Sequence, residues 1–167
     1  MTLRVVVMGV SGCGKSSVGA AMGALLDIPY IDGDDLHPAE NVAKMAAGVP
    51  LTDADRWPWL DRVAAVLAER APVILGCSAL KRAYRDRIRA GAGGPVRFVH
   101  LAGSREVIGA RMAARTGHYM PATLLDSQFA ALEPPGPDEA AITLDVAAPV
   151  PEIAARAVGW LRTGAKV

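Results

Sequence analysis

Gly9-Val10-Ser11-Gly12-Cys13-Gly14-Lys15-Ser16 fits the pattern G-x-x-x-x-G-K-[ST] without a mismatch. A β-branched run, Val5-Val6-Val7-Met8, precedes it, and a segment with helical apolar spacing (Val18, Met22, Leu25, Leu26) follows. Strand, glycine loop and helix in that order turn the string into a phosphate site. Glycines at 9, 12 and 14 let the backbone wrap close to a polyphosphate, so that several N–H groups point inward. The helix starting near Lys15 adds its partial positive charge there. Expected nucleotide contacts are Gly9, Val10, Ser11, Gly12, Cys13, Gly14, Lys15, Ser16 and Ser17. Lys15 suits the β- and γ-phosphate oxygens, and the Ser16 hydroxyl suits Mg²⁺. A nucleoside triphosphate is the expected ligand.

Outward from this loop, apolar runs at 3–8, 28–31, 72–76, 96–101 and 142–146 read as strands. Between them, helical spacing recurs in Ala39/Val42/Met45, Leu60/Val63/Leu67, Leu80/Tyr84/Ile88, Ile108/Met112, Leu125/Phe129/Leu132 and Ile153/Ala157/Trp160. The alternation predicts an α/β fold of three layers, with a five-stranded parallel sheet covered by helices on both faces. Ligands then gather beyond the carboxyl ends of the strands. Thr52-Asp53-Ala54-Asp55 resembles a capping box, yet Pro58 falls in the second turn, so a short turn at 53–56 and a helix from about Trp57 are expected. Glu133-Pro134-Pro135-Gly136-Pro137 reads as a loop, and 115–121 as a mobile connection without apolar period.

The 167 residues suit a single domain, 1–167, and 51% hydrophobic with 21% charged residues excludes a disordered chain. A formal net charge of +1 gives no general pull toward nucleic acid or anionic membrane. Charge is nonetheless uneven: acids dominate from Asp27 to Asp55, and bases dominate from Lys81 to Arg89. Such stretches serve a metal and an anionic substrate respectively, or are solvated faces. Cys13 and Cys77 suggest no disulfide framework, consistent with a reducing cytoplasm. The N-terminal apolar stretch is too short for a signal peptide, and no apolar run reaches the length of a membrane span.

Asp32-Gly33-Asp34 stands where the second apolar run ends. Read as continuing strand with period 2, its two carboxylates point to one side, beside the phosphate loop. One would hold metal-bound water and the other would orient or deprotonate an attacking hydroxyl. Val73-Ile74-Leu75-Gly76-Cys77-Ser78 ends in no aspartate, which strengthens Asp32 as the metal-side acid and argues against a GTPase switch or a motor ATPase. His100, inside an apolar run, reads as a core histidine, and Trp57, Trp59 and Trp160 as core or interface residues.

A resemblance then becomes specific. Asp32-Gly33-Asp34-Asp35-Leu36-His37-Pro38, Asn41, Lys44-Met45 and Gly48 through Leu60 resemble the gluconokinase family. So do Cys77-Ser78-Ala79-Leu80-Lys81-Arg82-Ala83-Tyr84-Arg85-Asp86, Arg115-Thr116-Gly117-His118-Tyr119-Met120 and Leu125-x-x-Gln128-Phe129-x-x-Leu132-Glu133. The resemblance implies ATP-dependent phosphorylation of D-gluconate at its 6-hydroxyl, on the fold of shikimate and nucleoside monophosphate kinases. It also implies a lid at 115–121, a substrate-binding helical segment at about 35–60, and a homodimer.

Gluconate carries a carboxylate and a row of hydroxyls, so its site needs cationic forks and polar donors. Arg56, Lys81 and Arg85 are the candidates for charge, and His37, His118 and Gln128 for neutral polarity. Lys81 and Arg85, four apart, would share a helix face. Arg111 and Arg115 share the same spacing beside the lid; Arg111 is assigned to the nucleotide and Arg115 to the transferring phosphoryl group. Lys15, Asp34 and Arg115 are the catalytic candidates, with Asp34 also on the acceptor and Ser16 and Asp32 on the metal. Asp145-Val146-Ala147-Ala148-Pro149 lies where the resemblance places adenine. The competing expectations are another small kinase of this fold, acting on shikimate or a nucleoside monophosphate, and a nucleotide-binding regulatory module without catalysis.

Overall fold

The computed structural model describes residues 2–114 and 122–163. Five strands form one parallel sheet: β1 (Arg4–Met8), β2 (Tyr30–Asp32), β3 (Val73–Gly76), β4 (Arg97–Ala102) and β5 (Ala141–Asp145), in the order β2-β3-β1-β4-β5. Among the described residues seven α-helices cover it: α1 (Lys15–Leu26), α2 (Ala39–Ala46), α3 (Asp53–Arg70), α4 (Arg82–Gly91), α5 (Arg105–Ala114), α6 (Ala122–Ala131) and α7 (Val150–Arg162). None of the described helices is long and apolar enough to cross a membrane.

The period of two along β1 explains the layers. Val5 and Val7 face one core with Met22 of α1, Val99 and Leu101 of β4, and Ile153 of α7. Val6 and Met8 face the other, with Leu60, Val63 and Leu67 of α3, Ile88 of α4 and Phe98. Both faces of the central strands are fully buried, which is why they read as continuous apolar runs rather than alternating ones.

Register brings the chemistry together at one edge. Val7 pairs with Gly76 and Asp32 also pairs with Gly76, so β1, β3 and β2 end side by side. Gly9 N–H donates to the Ser78 carbonyl (3.2 Å) and Cys77 N–H to the Val7 carbonyl (3.0 Å), tying the segments after β1 and β3. The glycine loop, the Asp32–Asp34 turn and Ser78 thus occupy the same end of the sheet.

Helix α3 departs from expectation. It is one helix from Asp53, not a turn followed by a helix from Trp57, and Pro58 lies inside it. Thr52 and Asp55 complete a reciprocal capping box, so the first turn is nucleated before the proline is reached. Pro58 removes one backbone bond, and burial of Trp59 and Leu60 on the next turn offsets it.

Candidate active site

Backbone geometry builds the phosphate loop. Gly12 and Gly14 adopt φ of 80° and 96°, a region that favours glycine. Gly14 is the N-cap of α1 and contributes no side-chain cap; the first helical bond runs from Val18 N–H to the Gly14 carbonyl at 2.9 Å. The N–H groups of Lys15, Ser16 and Ser17 therefore lack intrahelical partners at the positive end of the helix, an anion-binding arrangement. Val10 and Cys13 turn their side chains into the core. Lys15 Nζ donates to the carbonyls of Gly9 (2.9 Å) and Val10 (3.1 Å). Gln128 reaches in from α6: its Oε1 accepts Ser11 N–H at 2.7 Å, and its Nε2 donates to Ser11 Oγ at 3.1 Å.

A cleft of about 410 Å³ opens in front of this loop. Ser11, Lys15, Ser78 and Gln128 line it together with Asp34, His37, Arg56 and Trp59. Val42 and Met45 of α2 also line it, so their exposure reflects an open cleft and not a misplaced helix face.

The two aspartates do not follow the expected strand period. β2 ends at Asp32, and Gly33–Leu36 is a one-turn 3₁₀ helix. Asp32 caps it, its Oδ1 accepting Asp34 N–H at 3.0 Å. The cap, rather than alternation along a strand, brings the two residues together. Among the described residues the other Asp32 oxygen has no hydrogen-bond partner. The Asp34 side chain remains 69% exposed at the cleft mouth. The cleft walls nonetheless strip part of its hydration, which raises its pKa above the ordinary value; Lys15 opposes this, and Asp32 and Asp35 add to it.

His37 stacks on Trp59, with ring centroids 4.0 Å apart. Asn41 Nδ2 donates both to the Asp55 carbonyl (2.9 Å) and to His37 Nδ1 (3.2 Å). An amide nitrogen only donates, so Nδ1 must accept and the ring proton sits on Nε2, 4.0 Å from Asp34 Oδ1. Burial, helped by the Arg56 charge, lowers the His37 pKa to about 4. It is a neutral hydrogen-bond donor at physiological pH.

Arg56 Nη1 donates to the Leu51 carbonyl (2.6 Å) and to Tyr84 Oη (3.1 Å), and its guanidinium lies over the Tyr84 ring. Tyr84 in turn donates to Asp53 Oδ1, which Lys81 Nζ approaches at 3.4 Å. Lys81 is thus engaged by Asp53 beside the cleft. It is also the N-cap of α4, not a residue on its face, so the shared face with Arg85 does not exist.

Arg85, expected on the substrate, does not line the cleft. It is fully buried, and all five of its N–H donors are taken. Nε and Nη2 hold the Glu139 carboxylate (2.6 and 3.1 Å), Nη1 meets the Ala79 and Leu80 carbonyls, and Nη2 meets the Glu133 carbonyl. No donor remains for a substrate. Its neighbours likewise pair internally: Arg82 with Asp138, Arg87 with Asp61 and Arg89 with Glu139. The basic stretch 81–89 is an ion-pair belt.

Arg111 stands in the last turn of α5 and donates to the Val146 carbonyl, at the tract after β5. The next residue, Met112, packs on Gly12 so closely that a Cβ there would overlap it. Helix α5 thus lies against the phosphate loop. Arg115, His118 and the 115–121 segment lie outside the described residues. Sequence reasoning missed Trp59 as a cleft wall, because its apolar spacing is that of any core residue, and it gave Asn41 no role. Nothing local marks Glu139 as the partner of Arg85, since 54 residues separate them.

A family model described as an AAA domain matches residues 5–135. The thermosensitive gluconokinase of Escherichia coli K12 is 49% identical over 80% of this chain and 73% of its own. A probable gluconokinase of Mus musculus is 45% identical over 93% and 96% respectively. The crystal structure of a gluconokinase from Sinorhizobium meliloti 1021 superposes with a TM-score of 0.91 at 50% identity, covering 98% of this chain and 93% of that one. Identity at that level over nearly the whole length, on the same sheet and loop, leaves one assignment: this chain belongs to the gluconokinase family.

Proposed function

We propose that this chain transfers the γ-phosphoryl group of ATP to the 6-hydroxyl of D-gluconate, giving 6-phospho-D-gluconate and ADP. The observation that carries this reading is one cleft lined both by the phosphate-loop residues Ser11 and Lys15 and by Asp34, His37 and Arg56. A nucleotide sensor needs the loop alone; a kinase also needs an acceptor side.

Lys15 leaves its loop carbonyls for the β- and γ-oxygens, and the free N–H groups of Lys15, Ser16 and Ser17 cradle the polyphosphate. Gln128 holds Ser11 and so sets the loop's outer rim. Asp34, with its raised pKa, orients the acceptor hydroxyl and is a better proton acceptor than an ordinary carboxylate. His37 offers its Nε2–H to a hydroxyl, and the unused nitrogens of the Arg56 guanidinium meet the gluconate carboxylate. Arg111 supports the nucleotide near the Val146 turn.

Ser16 and Asp32 would hold Mg²⁺. The donor types fit: a serine hydroxyl and a carboxylate are hard oxygen ligands, and Mg²⁺ in kinases uses one or two protein oxygens with water and phosphate. When bound, the ion neutralises charge on the transferring phosphate. Purified protein assayed for ADP release with gluconate, shikimate, nucleoside monophosphates and water tests the proposal. Turnover with gluconate alone is expected; preference for another acceptor, or for none, overturns it.

A further inference from the structure

Tyr30 opens β2 and sends its ring into a slot between α1 and the end of β3. Two glycines make that slot: a Cβ at Gly19 would overlap the ring, and a Cβ at Gly76 would overlap the hydroxyl. Gly19 lies three residues after Ser16, on the same face of α1. Gly76 is the register partner of Asp32. The hydroxyl therefore sits at the end of the slot beside Gly76, with the Ser16 side chain and the Asp32 carboxylate among the groups that act on it.

There it is buried with no hydrogen-bond partner among the described residues. Burial raises the phenol to about 12; the Ser16 side chain pulls the other way without meeting hydrogen-bond geometry, and Asp32, Asp34 and Cys13 add to the rise. If the ring served packing alone, phenylalanine would fill the same slot without the cost of an unpaired buried oxygen. The hydroxyl is the part that packing does not explain.

We propose that Tyr30 is a positioning residue for the metal side of the site, its hydroxyl orienting Ser16 and Asp32 toward a divalent cation. The inference rests on the kinase reading above. A serine hydroxyl that gives a lone pair to a cation must place its proton on another acceptor. Tyr30 Oη is that acceptor, and its own O–H turns to the Asp32 carboxylate. The orphaned oxygen is then satisfied when the site is loaded.

Tyr30→Phe tests this with Mn²⁺ as the probe. Electron paramagnetic resonance measures Mn²⁺ binding to the protein–ADP complex, calorimetry measures ADP binding in EDTA, and melting is followed without ligand. The expected result is Mn²⁺ affinity weakened about 10-fold, as for outer partners of metal ligands. Metal-free ADP affinity should be unchanged, and the ligand-free Tm equal to or above wild type. Mn²⁺ affinity like that of wild type overturns the proposal. So does a fall in ligand-free Tm accompanied by loss of metal-free ADP binding, which would make the hydroxyl a packing element. Wild-type turnover of gluconate, measured beside these, reports on the kinase reading independently of the variant.

Discussion

Glu139→Gln separates a structural role for Arg85 from a substrate role. The Glu139 carboxylate is buried and accepts from Arg85 Nε (2.6 Å), Arg85 Nη2 (3.1 Å), Arg89 Nη2 (2.8 Å) and Gly136 N–H (2.8 Å). Burial alone would raise its pKa, but hydrogen bonds from Arg85, Arg89 and Gly136 outweigh it and hold the group at about 2, below its ordinary 4.5. The glutamine keeps the volume and removes the charge, leaving the Arg85 guanidinium buried beside a neutral amide. Breaking a buried pair from one side costs roughly 3–5 kcal/mol. At 2–4 °C per kcal/mol for a chain of this size, Tm should fall by roughly 6–20 °C. The sign with pH is fixed as well: a depressed carboxylate contributes fully above pH 4.5, and that contribution is lost as pH falls toward 2. Wild type should therefore lose its advantage over the variant in acid. The assay is a thermal melt by circular dichroism at pH 7 and pH 3.5, beside the KM for gluconate measured well below the variant's Tm. An unchanged Tm at pH 7 with a tenfold higher KM would refute the reasoning and return Arg85 to the substrate.

Other perturbations read the cleft itself. Lys15→Met removes the charge expected on the β- and γ-oxygens, and turnover should fall at least ~100-fold while the melting curve is retained; near-normal turnover would dismiss the loop assignment. Asp32→Asn should raise the Mg²⁺ concentration needed for activity and be partly rescued by Mn²⁺, whereas Asp34→Asn should lower kcat severely without metal rescue. A Mg²⁺ titration of initial rates distinguishes them, and rescue of the Asp34 variant alone would reverse the assignment. His100 is buried with Nε2 unpaired among the described residues, and burial, with Arg85 nearby, lowers its pKa to about 4. Because the unfolded chain binds that proton more readily, stability is full above pH 6.5 and falls toward pH 4, by on the order of 3 kcal/mol. His100→Gln should flatten the Tm–pH curve between 6.5 and 4.5, and an unaltered slope would count against it.

Local chemistry made much of this protein legible in one dimension. The phosphate loop is contiguous, and its function resides in backbone N–H groups whose directions follow from glycine spacing and a helix start. The parallel sheet was readable because strands buried on both faces must be apolar throughout, as in Val5–Met8 and Val73–Leu75. The capping box of Thr52 and Asp55 was equally local, although the proline six residues after Thr52 concealed that the helix continues. Tertiary structure decided whatever depended on partners distant in sequence. Lys81 and Arg85 have the same apparent chemistry in the chain, yet one stands beside the cleft and the other is sealed by Glu139. Asp32 and Asp34 met through an N-cap, a geometry that alternation along a strand does not contain. Trp59 serves core and cleft together because His37, 22 positions earlier, stacks on it. The hydroxyl of Tyr30 acquired its neighbours only when two glycines, 57 positions apart, closed around the ring. Spacing encodes what a residue does within one turn or one strand; which charge is neutralised, and by what, is fixed only when the sheet order brings remote segments into contact.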